Sequence, residues 1–355
     1  MGCSNDSDDN NSALLLSLSS GGSSLYSALP ASVGTNELAG KKFSSSIGAF
    51  NSTSTYEFSG TTYKDSTVSE AGSGTYNTAG KLLMEATYSY SYDSSAKRIY
   101  IKLLGSGSFI IRDGKTTLLP DSSFSTDAQF VDSLKQQYKI LCDKADDAYI
   151  NSYAASSAKQ YRYFYFSTFG YTDTTGETLV SDEIIARYNR ARELSRNSVS
   201  CIAYSLSSTG LKIVSDSDHY SKETKLSDFC SSFASDSLNL VANGSTAFTF
   251  SYEMQYAWPE RYCALTASDG LFGYYVTSAS ESALSVSKVG ARASSSSDYI
   301  FMEQASTISL SKSETSSYAV YTASLDGAVI GTITIPYATA DNIPSFDTVE
   351  YTLVQ

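Results

Sequence analysis

The chain carries one histidine, His219, in the stretch SDSDHYSKE. A hydrolase built on a serine or cysteine nucleophile needs a base to take its proton, and here that base would have to be His219. No G-x-S-x-G surrounds any serine, and the polar neighbours of His219 read as a surface loop between β elements. Paired carboxylates suited to glycoside hydrolysis could come from Asp182, Glu183, Glu253 and Glu260, of which Glu253 and Glu260 lie in the aromatic-rich stretch YEMQYAWPERY. The acidic runs DSDDNN and SDSD lack the D-x-D-x-D-G-x5-E order of a calcium loop, and GSGS at 105–108 lacks the Lys and helix of a phosphate loop. Arg187, Arg190, Arg192 and Arg196 are interleaved with Glu183 and Glu193, the pattern of salt bridging on a wet helical face. No two cysteines are spaced C-x-x-C, which argues against zinc and thioredoxin chemistry. The expectation is a protein that is not an enzyme, with no cofactor and no metal site.

The residues best suited to hold a ligand lie in KQYRYFYFSTFGY, which has seven aromatics in the eleven residues from Tyr161 to Tyr171. Strict alternation puts Tyr161, Tyr163 and Tyr165 on one face and Arg162, Phe164 and Phe166 on the other. One such face could line the mouth of a barrel. The expected ligand-binding residues are therefore Tyr163, Tyr165 and Phe166, taking a small hydrophobic molecule. The competing reading is that these rings seal neighbouring elements together as ordinary core.

The elements that would position such a site are mostly strands. From Leu38 onward, short alternating runs follow one another every 8–12 residues or so, a β-meander spacing: LAGKKF, TYEFSGTTY, MEATYSYSYD and KRIYIKLLG. Tyr88, Tyr90 and Tyr92 share one face, Ile99 and Ile101 oppose Tyr100 and Lys102, and YDSSAK makes a polar turn. Residues 38–115 are expected to be antiparallel sheet. Apolar residues at three- and four-residue spacing then predict helices over 126–152 and 182–196, within a helical insertion at about 119–197. VSCIAYSL and LKIVSD form a hairpin, and Leu226, Phe229 and Phe233 suit one short helix. From 246 onward AFTFSYEM, RYCALTA, GLFGYYVT and later runs predict a second β region, with turns at SDG (268–270) and LDGA (325–328). The expected divisions are a disordered tether (1–36), a barrel with the helical insertion (37–245) and a C-terminal sandwich or barrel (246–355).

The 355 residues have a net charge of −12 and a pI near 4.6, which argue against nucleic acid and an anionic membrane surface as partners. No run of 18 apolar residues is present. The opening MGCSNDSDDNN places Cys3 ahead of residues with nothing to bury. N-myristoylation would want Ser or Thr where Asp6 stands. Gly2-Cys3 instead resembles the lipobox of bacterial lipoproteins, in which a small residue precedes the cysteine that is lipidated, and the polar stretch after it suits a tether. That resemblance implies lipidation at Cys3 and a lipid-anchored place in the bacterial cell envelope, on the outer membrane or cell surface. The other four cysteines, Cys142, Cys201, Cys230 and Cys263, allow two disulfides in three connectivities, or buried free thiols.

LAGKKF followed by TYEF, the tyrosine-alternating strand and KRIYIKLL resembles the first half of a lipocalin-like (calycin) barrel. Such barrels open with a glycine shortly before an aromatic that plugs the base, and Gly40 and Phe43 stand at those places, with Phe one position later than the family's G-x-W. The fold class expected is mainly β: an antiparallel lipocalin-like barrel with a helical insertion, plus a second C-terminal antiparallel β domain. The function implied is a lipid-anchored extracytoplasmic binding protein carrying a small hydrophobic ligand, reaching membranes only through its anchor. The alternative is a structural or adhesive surface lipoprotein that contacts a macromolecular partner.

Overall fold

The computed structural model describes residues 25–47, 51–120, 123–231, 234, 236–253, 262–295, 297–346 and 349–354. The strands are β1 (Lys42–Ile47), β2 (Ser52–Phe58), β3 (Thr62–Gly72), β4 (Gly80–Asp93), β5 (Arg98–Arg112), β6 (Lys115–Leu118), β7 (Val199–Leu206), β8 (Gly210–Ser215), β9 (Ser237–Ala242), β10 (Ser245–Glu253), β11 (Tyr262–Ala267), β12 (Phe272–Ala279), β13 (Ala283–Ala291), β14 (Ile300–Glu314), β15 (Tyr318–Leu325), β16 (Ala328–Pro336) and β17 (Tyr351–Leu353). They close into two antiparallel eight-stranded barrels. The first runs β1-β2-β3-β4-β5-β7-β8-β17 and shuts where β17 meets β1, with β6 hydrogen-bonded outside the ring to the far end of β5. The second runs β9 through β16 in order and shuts between β16 and β9. Both are up-and-down meanders, and the second is inserted whole in the connection between β8 and β17 of the first.

The expected division at 245/246 does not follow the strand pairing. Residues 237–242 belong to the second barrel because Asn243 and Gly244, both at positive φ (49° and 81°), make a two-residue hairpin that ties β9 to β10. Residues 351–353 pair back into the first barrel, with Phe43 opposite Leu353 and Leu211 opposite Tyr351. The LDGA turn is a second hairpin of the same kind, with Asp326 and Gly327 at φ 52° and 81°.

The insertion between β6 and β7 is helical as expected, with three helices: α1 (Asp127–Leu141), α2 (Asp147–Phe166) and α3 (Asp182–Asn197). The single helix expected over 126–152 is two. Cys142 leaves helical geometry (φ −103°, ψ 60°), and Asp146 starts α2 by accepting the Tyr149 N–H at 2.7 Å. Alternation through 161–171 is overturned too. Tyr161 to Phe166 are the last turns of α2, whose buried residues Ile150, Ala154, Ala158, Arg162 and Phe166 recur every fourth position. The short helix expected near Leu226 is a single 3-10 turn, Leu226–Cys230, that buries Leu226 and Phe229.

The two barrels are filled differently. The second has an apolar interior of Leu240, Phe250, Leu265, Ile308, Tyr321 and Ile333, all fully buried, with many others. A disulfide joins Cys230 to Cys263 at its wall, while Cys201 is a buried free thiol on the outside of the first barrel. Alternation in the first barrel works as expected, with Tyr88, Tyr90, Tyr92, Ile99 and Ile101 in its interior cluster and Tyr100 packed outside against Tyr26.

Candidate ligand site in the first barrel

One end of the first barrel is closed. Leu38, Phe43 and Phe58 are buried there, with Phe43 and Phe58 edge to face at 6.3 Å. Below them the 36–38 segment is fastened to the strands. Asn36 Nδ2 donates to the Tyr90 hydroxyl at 2.8 Å, and that hydroxyl donates to the Ser59 carbonyl at 2.7 Å. Glu37 accepts from Lys97 Nζ at 2.6 Å and from the Tyr204 hydroxyl at 2.9 Å. The Lys97 ammonium holds the Glu37 carboxyl below the usual carboxylate range.

Above this plug lies a layer of tyrosines. Tyr63 stacks on Phe58 at 4.8 Å and on Tyr88 at 5.4 Å, Tyr56 tilts against Tyr351 at 4.3 Å, and the hydroxyls of Tyr56 and Tyr351 are hydrogen-bonded at 3.0 Å. Burial raises the pKa of each of these phenols, that of Tyr88 up to about 12, so all four are neutral donors and acceptors at physiological pH.

Toward the other end the inward-facing side chains carry no rings, and apart from Leu82 and Met84 on β4 and Ile110 on β5 they are small. Ser52 and Ser54 on β2, Thr67 on β3, Ala86 on β4 and Ser106 and Ser108 on β5 occupy the positions that rings fill lower down. Ser54 and Thr67 share a hydrogen bond at 3.0 Å, and Ser106 is exposed although the alternation aims it inward. An eight-stranded barrel is just wide enough for its own side chains to fill, or to hold one small ligand where they are short. Here most of them are short, and at one end only.

Asp65 stands at the boundary of the two halves. Its register partners are Tyr56 on β2 and Ala86 on β4, and it shares the inner face of β3 with Tyr63. Protein surrounds it on most sides while a path to solvent remains, and burial alone pushes its carboxyl up to about 7. The other acids of β2 to β4 that form ion pairs do so with Lys on the outer wall: Glu57 with Lys42 at 3.4 Å, Glu85 with Lys64 at 2.6 Å and Glu70 with Lys81 at 3.9 Å. Asp65 was not among the residues singled out from sequence. Its signal was present in TTYKDST, where extending the alternation from Tyr63 through a polar residue puts Asp65 inside.

The same end of the barrel carries both insertions. β5 and β8 run toward it and β7 and β17 return from it, so the helical segment and the second barrel are both attached around the open mouth. A cleft of about 530 Å³ opens beside the mouth between Leu103 to Ser106 of β5 and Asn189, Arg192 and Arg196 of α3.

Tyr163, Tyr165 and Phe166 are not brought to this mouth as one face. Phe166 is fully buried against Phe124, Phe130 and Tyr188 in the core of the helical insertion. Tyr165 packs on the edge of that core, and Tyr163 is 46% exposed on the far side of α2. Arg162, expected beside Phe166, points inward and grips Asp127 with two hydrogen bonds of 2.9 and 2.8 Å. Cys3, Trp258 and Glu260 lie outside the described residues.

His219 is tied to an acid, as a catalytic base would be. Its Nδ1 lies 2.9 Å from Asp216 Oδ1, and Asp216 is fully buried against Arg98 Nε at 2.6 Å. Arg98 also donates to the Asn342 carbonyl and side chain, at 3.2 and 3.3 Å. The trio fastens the two inter-barrel connections to the wall of the first barrel. Asp182 and Glu183 sit in the first turn of α3, where Glu183 pairs with Arg187. Among the described residues no group of three or more His, Cys, Asp or Glu is placed to hold a metal ion.

Set against family models, curated proteins and solved structures, the chain matches none of them.

Proposed function

We propose that this chain is a lipid-anchored extracytoplasmic binding protein of the bacterial cell envelope that carries a small, largely apolar ligand in the open half of its first barrel. The observation that carries the reading is the change of side-chain size along one barrel interior: a floor of rings, then mostly Ser, Thr and Ala, with Leu82, Met84 and Ile110 the larger exceptions, around a mouth that reaches solvent. Membership of the lipocalin-like class rests on the up-and-down order of eight strands and on Phe43 buried at the closed base. Anchoring through Cys3 rests on Gly2-Cys3 and the polar residues after it.

The test uses the uncharged probe N-phenyl-1-naphthylamine, whose fluorescence rises in an apolar site. The full chain should enhance it with a stoichiometry near one, and Ser54→Phe or Ala86→Phe, which fill the open half, should abolish the enhancement while circular dichroism shows the barrels intact. No enhancement with the natural chain, or full enhancement with both filled variants, overturns the reading.

A second reading is favoured by the second barrel, whose interior is packed by its own side chains while Ile300, Met302 and Val329 are exposed on its surface. That half suits a structural or adhesive role toward a macromolecular partner. Retained adhesion by a chain with its first barrel filled would favour it.

A further inference from the structure

The inner face of the first barrel carries a charge that nothing on the described chain neutralises. Strand alternation places Phe43 and Ser45 of β1, the even residues from Ser52 to Phe58 of β2, and the odd residues from Tyr63 to Ser69 of β3 inside. It does the same for Met84 to Tyr92 on β4, for Ile99, Ile101 and Leu103 and then Ser106 and Ser108 on β5, and for the inward residues of β7, β8 and β17. Asp65 is the one acid or base among them. The cations on these walls point elsewhere: Lys42, Lys64 and Lys81 to outer glutamates, Lys102 to the Ser27 carbonyl, Arg98 to Asp216, and Arg112 to the carbonyls of Ile140 and Leu141. The Asp65 carboxylate has no hydrogen bond or ion pair to a described residue, and burial is the sole cause of its shift.

An isolated carboxylate in such surroundings costs free energy unless a partner compensates it. Its neighbours say which partner fits. Four tyrosine rings form the floor next to it, and an aromatic face attracts a cation through its quadrupole. The Tyr56–Tyr351 hydroxyl pair offers acceptor oxygens at the same level. An anionic ligand such as a fatty acid would meet a like charge, and a purely apolar one would strip Asp65 of its remaining water.

We infer that the open half of the first barrel receives an organic ammonium ion on an apolar body, with Asp65 as its counter-charge and the rings of Tyr56, Tyr63, Tyr88 and Tyr351 as the floor beneath it. This inference rests on the reading of that half as a binding site and names the chemistry of its occupant.

The experiment compares 2-phenylethylammonium with 2-phenylethanol, which has nearly the same shape and no charge, by calorimetry or amide chemical shifts on the full chain at pH 8. The ammonium should bind at least tenfold more tightly, and Asp65→Asn should bring the two ligands together. The groups facing Asp65 are phenols that stay neutral in this range, so the carboxylate governs the pH response. With its carboxyl at about 7, lowering the pH from 8 to 5.5 should weaken the ammonium toward the affinity of the alcohol, by at most about 30-fold, and leave the alcohol unchanged. That pH series on the natural chain decides the matter even if Asp65→Asn fails to fold. Equal binding of the two ligands at pH 8, binding of neither, or an ammonium affinity that ignores pH overturns the inference. If the naphthylamine probe still binds in that case, the barrel remains a binding site for another class of ligand; if it does not, both readings fall.

Discussion

Replacing Asp65 with Asn should make the ligand-free protein more stable at neutral pH, an unusual outcome for removing a charge. In the folded chain its carboxyl is pushed from 3.8 up to about 7 by burial. The folded state therefore holds the proton more tightly than the unfolded state does, and stability falls as pH rises from about 4 to about 7. The penalty is fully present above the folded value and absent below the unfolded one. The shift of roughly three units corresponds to about 4 kcal/mol, which the remaining path to solvent reduces to about 2–4 kcal/mol. Asp65→Asn, which cannot ionise, should gain that amount at pH 8 and almost nothing at pH 4. Because two barrels need not unfold as one unit, the assay is hydrogen exchange of the β2, β3 and β4 amides at several pH values, which reads the first barrel alone. A natural chain whose β2–β4 protection is flat across pH 4–8, or an Asn variant weaker at every pH, would refute the account of Asp65 as a buried, uncompensated acid.

Arg98→Met leaves Asp216 buried with His219 as its one remaining side-chain partner and should cost about 3–5 kcal/mol in thermal or urea unfolding. Phe166→Ala should cost about 3–5 kcal/mol by emptying the core of the helical insertion, whereas Tyr163→Ala on the exposed side of α2 should change stability by no more than about 0.5 kcal/mol. Replacing Cys230 and Cys263 together with Ala releases a loop of 33 residues and should destabilise the second barrel by about 3–4 kcal/mol in urea. Expressed in a bacterium behind a lipoprotein leader, the chain should take up labelled palmitate and partition with membranes, and Cys3→Ala should move it to the soluble fraction.

What could be read in advance depended on how local the cause was. Tyr88, Tyr90, Tyr92, Ile99 and Ile101 alternate within their own strands, and side-chain period alone sends them inward. The turn at YDSSAK is also local, with Asp93 Oδ1 accepting the N–H groups of Ser95 and Ala96 at 3.0 and 2.9 Å. The aromatic run 161–171 misled because adjacent rings mimic alternation, while the signal that won was fourfold spacing reaching back to Ile150. Asp146 gave the other warning, as a capping residue in the middle of an apparent helix. The pairing of Leu353 with Phe43 joins residues more than 300 apart, and no window along the chain contains both. The tyrosine floor was half visible: Tyr88 could be placed, but its meeting with Tyr56 and Tyr351 depends on that same distant closure.

The nesting of one barrel inside a connection of the other also sets an order of events during synthesis. Seven strands of the first barrel leave the ribosome before any strand of the second, yet the first cannot close until Tyr351–Leu353 arrive. Until then β1 and β8 each present an unpaired edge, the kind of surface that recruits another chain. The second barrel needs only its own consecutive strands and can finish first. A cut just before Tyr351 would therefore leave the later-made barrel whole and open the earlier one, baring the inner face that carries Asp65.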